Sequence, residues 1–138
     1  MLREWINPNK EIKIKLLFRD VSNGKDFCKY CDKKGPTSTL IHTNKGKIFG
    51  GYTPINWESL DGKDKTDDLT FIFSLNSMIK VTKHQEDCSI YLYRYNGPCF
   101  GSGSDLGICR DMNKGWIGNG NYLRNRELTD GESDFYCK

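Results

Sequence analysis

Apolar and polar positions alternate along most of the chain. In IKIKLLFR (12–19), Ile12, Ile14 and Leu16 share one face, which predicts a strand. The turn signal Ser22-Asn23-Gly24 follows. Phe27, Tyr30 and Cys31 then recur at i, i+3 and i+4, the apolar stripe of a short helix over roughly 25–34 that Gly35-Pro36 stops. Beyond that point the period is two. STLIHT (38–43) and KIFGGYT (47–53) flank Asn44-Lys45-Gly46, a hairpin signal. LTFIFSL (69–75) sets Leu69, Phe71, Phe73 and Leu75 on one face and Ile72 on the other, while MIKVTK (78–83) and SIYLYRY (89–95) alternate likewise. CFG (99–101), DLGICR (105–110), GNYLRN (120–125) and DFYCK (134–138) read as further short strands. One helix among many short strands with Gly/Asn turns predicts a mainly β fold: two packed antiparallel β-sheets, a β-sandwich, with one or two short helices at its edges.

Composition narrows the class. A chain of 138 residues, 36% hydrophobic and 12% aromatic, is long and apolar enough to fold around a core. It reads as a single domain over 1–138, with 1–11 as an N-terminal extension. Twenty-one basic and eighteen acidic residues give a net charge of +3, too mild for a nucleic-acid or anionic-membrane partner. The charges interleave, and DGKDKTDD (61–68) reads as a solvated loop. MLREWINPNK has no apolar stretch of the signal-peptide kind, and no apolar run approaches the roughly 20 residues of a membrane helix. The expectation is a soluble, cytoplasmic protein without membrane insertion, its six cysteines reduced.

Candidate chemistry centres on Cys28 and Cys31, a C-x-x-C pair that suggests a redox dithiol or half of a zinc site. No second pair exists to complete a tetrahedron, and His42 and His84 lie far apart in sequence, so no metal or other cofactor is expected. Cys31 falls in the helix stripe, where a free cysteine acts as a small hydrophobe, which leaves Cys28 as the more reactive candidate. Neither histidine neighbours a nucleophile elbow, and GSGSD (101–105) lacks the final glycine of one. No phosphate-binding glycine loop is present. The reading leans away from an enzyme. Trp57, Trp116, Tyr122 and the row Tyr91/Tyr93/Tyr95 would form stacking platforms if the chain were a β-sandwich carbohydrate-binding module; the alternative is ordinary burial.

Several segments in order resemble the TLDc domain of the oxidation-resistance proteins: IKLLFRD, a helix running into CDKKGPT-x-TLI, GKIFGGYTPINW, D-x-x-FIFSL, GPCFGSGSDLGI and GNGNY. The resemblance spans about residue 12 to 138, and its most specific pieces are KIFGGYTPINW (47–57), FIFSL (71–75) and FGSGSDLGI (100–108). It implies a two-sheet sandwich, an intracellular protein-interaction role in oxidative-stress protection, and binding to the vacuolar proton pump (V-ATPase); it implies no catalytic residues. The matching positions are Gly50, Gly51, Trp57, Phe71, Phe73, Gly101, Asp105 and Leu106. Their expected roles are structural: Gly50-Gly51 for close approach or a bulge, Phe71 and Phe73 as core, Asp105 as a partner for turn donors. Cys28 lies outside the family pattern, so a C-x-x-C function is not inherited. Such domains finish with a strand of alternating acidic and apolar residues, which the resemblance places beyond Lys138.

Overall fold

From Thr37 onward the alternating segments pleat into strands. The computed structural model describes residues 1–19, 26–83, 87–102, 105–118, 122, 128 and 134–137. Among them, two short helices, α1 (Leu2–Ile6) and α2 (Phe27–Cys31), precede ten strands: β1 (Thr37–His42), β2 (Ile48–Thr53), β3 (Asp61–Lys65), β4 (Phe71–Ser74), β5 (Ile79–Val81), β6 (Ile90–Tyr93), β7 (Asn96–Phe100), β8 (Leu106–Cys109), β9 (Lys114–Ile117) and β10 (Asp134–Tyr136). Four strands form one sheet in the order β1-β2-β4-β5, and six form the other in the order β10-β9-β8-β7-β6-β3. Every pairing is antiparallel. The β1–β2 hairpin closes as read from the sequence: Gly46 takes φ +79°, and its N–H donates to the Thr43 carbonyl at 3.0 Å.

The sheets face each other across one core. Ile41 and Phe49 from the smaller sheet meet Ile90, Leu92, Phe100, Leu106 and Ile117 from the larger one, all buried. Phe49 and Phe135 pack edge to face with centroids 4.9 Å apart. The closest approach is at Gly51, where an added Cβ would lie 2.4 Å from the Phe100 ring. The Phe100 ring in turn meets Trp57 edge-on at 5.7 Å, and Trp57 meets Phe27 of α2 at 5.8 Å. An aromatic chain thus runs from the glycine on one sheet to the helix at the edge.

Four features differ from the expectations. Residues 12–19 form no strand: Ile14 and Leu16 are exposed, and only Leu17 and Phe18 pack against the core. DGKDK is no loop but the edge strand β3, paired to β6 with a bulge between Asp61 and Lys63. Its side chains are almost wholly exposed, so the strand is held by backbone pairing, which leaves no apolar alternation to read. Residues 1–11 contribute a helix. In α2, Phe27 and Cys31 are buried while Tyr30 is exposed and stacks on Phe18 at 6.2 Å. The turn at Ser22-Asn23-Gly24, His84, and all of the 120–125 strand candidate but Tyr122 lie outside the described residues.

Gly51→Ala should cost about 1–3 kcal/mol of stability by forcing Phe100 off its seat. Urea denaturation would check this. Pairing it with Phe100→Leu should return part of the loss, and strictly additive losses would refute the contact as the cause.

Candidate functional site

The residues singled out by sequence fall on three parts of the fold. Gly50 and Gly51 are adjacent on β2, in regular register with both neighbours, so no bulge occurs there. Gly51 faces the core. Gly50 faces outward, and a Cβ there would lie 1.8 Å from the Thr39 carbonyl oxygen. Both positions serve close approach. Trp57 is buried, and its Nε1–H donates to Thr37 Oγ1 at 2.9 Å. Leu106 is wholly buried in the core. Phe71 and Phe73 are buried too, but on the outer face of the small sheet; Ile72, between them, is the residue that enters the core. The alternation of FIFSL placed the three correctly relative to one another, but the expectation that Phe71 and Phe73 form the core is corrected: period two says which residues share a face, not which face lies between the sheets.

Gly101 and Asp105 belong to a buried polar network at the β7–β8 turn. Asp105 is fully buried, and its Oδ1 accepts from the Tyr122 N–H at 2.9 Å. Its other carboxylate oxygen lies 1.9 Å from where a Cβ on Gly101 would stand, so only glycine fits, there with φ +78°. The Tyr122 hydroxyl donates to the Ser89 carbonyl at 2.8 Å, and the same carbonyl accepts the Gly101 N–H at 2.9 Å. Ser89 Oγ donates to the Asp67 carbonyl at 3.0 Å and accepts the Asp67 N–H at 2.9 Å. The Asp67 carboxylate accepts the Leu69 and Thr70 N–H groups at 2.6 and 2.9 Å, and also the Thr70 hydroxyl. Thr70 and Thr53 hydroxyls lie 2.9 Å apart. Burial, with Asp105 adding, pushes the Tyr122 phenol far above its usual range, so it stays a neutral donor. Tyr122 read as a possible stacking platform; it is a buried hydrogen-bond donor instead. Asp67, Thr70, Thr53 and Ser89 were missed, because their partners lie up to 33 residues away in sequence. No histidine among the described residues enters the network; His42 is exposed on β1. The arrangement locks the two sheets together.

The cysteines separate by burial. Cys31 is buried, and desolvation, with Asp32 and Cys28 adding, pushes its thiol up from 9.0 to about 11. Cys28, one turn earlier, is half-buried and packs against the core. Cys88 is buried, donates its thiol to the Ile90 carbonyl at 3.0 Å, and is also pushed up to about 11, chiefly by burial. Among the described residues, no group of three or more His, Cys, Asp or Glu is placed to hold a metal. No helix among them is long and apolar enough to cross a membrane.

The outer face of the large sheet carries the remaining candidate surface. Tyr91 and Tyr93 project from β6, with centroids 6.0 Å apart, and Tyr93 meets Tyr95 edge-on at 5.4 Å. Arg110 lies over the Tyr95 ring at 5.6 Å, and Arg94 pairs with Asp61 at 2.7 Å beside the row. Tyr93 and Tyr95 are 36% and 53% exposed. Tyrosine and arginine together are the side chains that protein interfaces favour.

Comparison with known proteins decides the family: a family model, the TLDc domain, matches residues 1–138. The chain belongs to the TLDc domain family. A relative from Danio rerio, MTOR-associated protein MEAK7, is 31% identical over 70 residues. That match covers 49% of this chain and 15% of the relative. The chain thus spans a small part of that relative's length. In this TLDc domain the motif positions Gly51, Trp57, Gly101, Asp105 and Leu106 all serve packing or the buried network, while the exposed tyrosine row lies outside the motif.

The thiols yield a pH prediction. The pKa values of Cys31 and Cys88 are raised on folding, so the stability they contribute is complete below 9.0 and is lost as pH rises toward about 11. Urea midpoints should hold level in neutral buffer and fall across that window. Cys31→Ala with Cys88→Ala should flatten part of the fall. Iodoacetamide at neutral pH should label Cys31 on the order of 100-fold more slowly than in the unfolded chain. Equal rates would show that burial does not protect it.

Proposed function

We propose that this chain is a TLDc-type protein-interaction domain that acts in the cytoplasm in protection against oxidative stress, by docking on a larger assembly, the V-ATPase being the named candidate. Family membership over residues 1–138 carries the reading. The exposed tyrosine row with Arg94 and Arg110 supports it, because such a row supplies apolar area with polar tips at little entropic cost. The relative's printed name, MTOR-associated, describes association with another protein, and a docking role for this domain accords with that.

Two burial observations weigh against the other readings. A dithiol needs an accessible thiolate, and Cys31 is buried with its thiol held neutral. A carbohydrate platform on Trp57 is excluded, because Trp57 is 3% exposed with its Nε1–H already used, which leaves the tyrosine row without that tryptophan.

Affinity purification of the tagged chain from cells under peroxide stress tests the proposal. V-ATPase subunits should co-purify, and Tyr93→Ala with Tyr95→Ala should reduce their recovery about 10-fold or more while circular dichroism stays unchanged. Recovery no greater than from an untagged control would refute the pump as partner.

A further inference from the structure

The outer face of the small sheet holds a second aromatic cluster. Phe71 and Phe73 project from β4, beside Tyr52 of β2 at 5.4 Å from Phe71. Gly50, paired with Phe73, leaves the face bare next to that ring. Phe71 and Phe73 are 1% and 0% exposed, and neither belongs to the core between the sheets.

Their cover is α1. Trp5 meets Phe71 edge-on at 6.4 Å and Phe73 at 6.1 Å. Lys80, paired with Phe73 across the β4–β5 ladder, lies over the Phe71 ring at 4.4 Å and donates to the Trp5 carbonyl at 3.0 Å. One lysine therefore completes the aromatic face and receives a carbonyl from the helix's last turn, where carbonyls lack intrahelical partners.

The cover itself is lightly attached. α1 has five residues, none buried, and no side-chain cap. An isolated helix of that length is unstable in water, so it exists only while Trp5 is docked. Residues 11–19, which join it to the sandwich, form no strand pairing among the described residues. The Trp5 ring and carbonyl hold the segment to a face that cannot be left in water.

We propose that Tyr52, Phe71, Phe73 and Lys80 form an exchangeable docking socket for a short helix of a partner protein that carries an aromatic side chain in its last turn, with α1 as the in-chain occupant that partner displaces. The chemistry of the occupant is read from α1: an aromatic ring for Phe71 and Phe73, and a C-terminal helix carbonyl for Lys80. The inference rests on the interaction reading above and names a surface for it. An in-chain competitor makes the site available only in proportion to the undocked fraction, so displacement weakens the partner's apparent affinity by that fraction.

A fluorescein-labelled peptide of residues 1–10 serves as the probe, with anisotropy on the full chain. The peptide should bind Trp5→Ala at least about 10-fold more tightly than the unaltered chain, because the competitor is gone. Adding Lys80→Ala to that variant should weaken binding again, and a peptide with alanine in place of its tryptophan should not bind. Equal binding to both chains, or none to a folded Trp5→Ala chain, overturns the proposal. If Trp5→Ala does not fold, hydrogen exchange on the unaltered chain decides. Excess peptide should speed exchange of the Trp5 and Asn7 amides, which are bonded within α1, while β4 stays protected. Unchanged exchange overturns the socket. A Trp5-dependent dimer in sedimentation would assign the socket to a second copy's α1 and overturn the partner assignment. Co-purification with the pump despite a failed peptide test would remove the socket and leave the interaction reading standing.

Discussion

The seat of Phe100 on Gly51 is the contact on which the rest of the structure depends. Two sheets pack face to face only where their side chains interdigitate, and the ring of one sheet here fills the space left by a missing side chain on the other. That seat fixes the depth of the sandwich, and Trp57 then packs on Phe100 and Phe27 on Trp57. α2 is thereby placed, and with it Cys28 and Cys31. The chemistry first suggested by C-x-x-C is decided by this chain of rings: the helix is anchored through Phe27, so Cys31, four residues on, turns inward and becomes part of the core.

The polar network supplies what apolar packing cannot, a fixed register between loops. Asp105 is fully buried; its carboxylate accepts the Tyr122 backbone N–H and sits against a residue with no side chain, which makes room for it. Tyr122 links it to Ser89, Ser89 bonds Asp67, and the Asp67 carboxylate accepts from Thr70 beside β4. Removing one member would strand the others in a low dielectric, which makes such a network a scaffold rather than a movable site.

Much of this was legible in the sequence, and the limits have physical causes. IYLY announced itself by alternation, and TSTLIH by the hairpin signal Asn44-Lys45-Gly46 that follows it. β3 did not, because an edge strand exposed on both faces has no reason to alternate. IKIKLLFR alternates and yet forms no strand here, because pattern shows what a segment is able to pair as, and pairing also needs a neighbour. α1 was invisible, since five residues carry too little periodicity and its stability comes from Trp5 on the sheet. For the site, glycine and aspartate types pointed to Gly101 and Asp105, but Ser89 and Asp67 joined them only through long-range folding. Family resemblance, carried by segment order, reached further than any single motif.

The two outer faces differ in what their side chains demand. The large sheet presents tyrosines, whose rings pack on one another tilted and edge-on and whose polar hydroxyls lower the cost of exposure. The small sheet presents Phe71 and Phe73, which have no polar tip and require a cover. The alternation of FIFSL makes this unavoidable: a strand with large apolar residues on successive positions buries one set in the core and must find something else for the other. The fold therefore demands an occupant on that face without dictating which chain supplies it. Here a helix of five residues meets the demand, and because a helix that short has little stability of its own, it is the sheet face that orders the helix as much as the helix that covers the face.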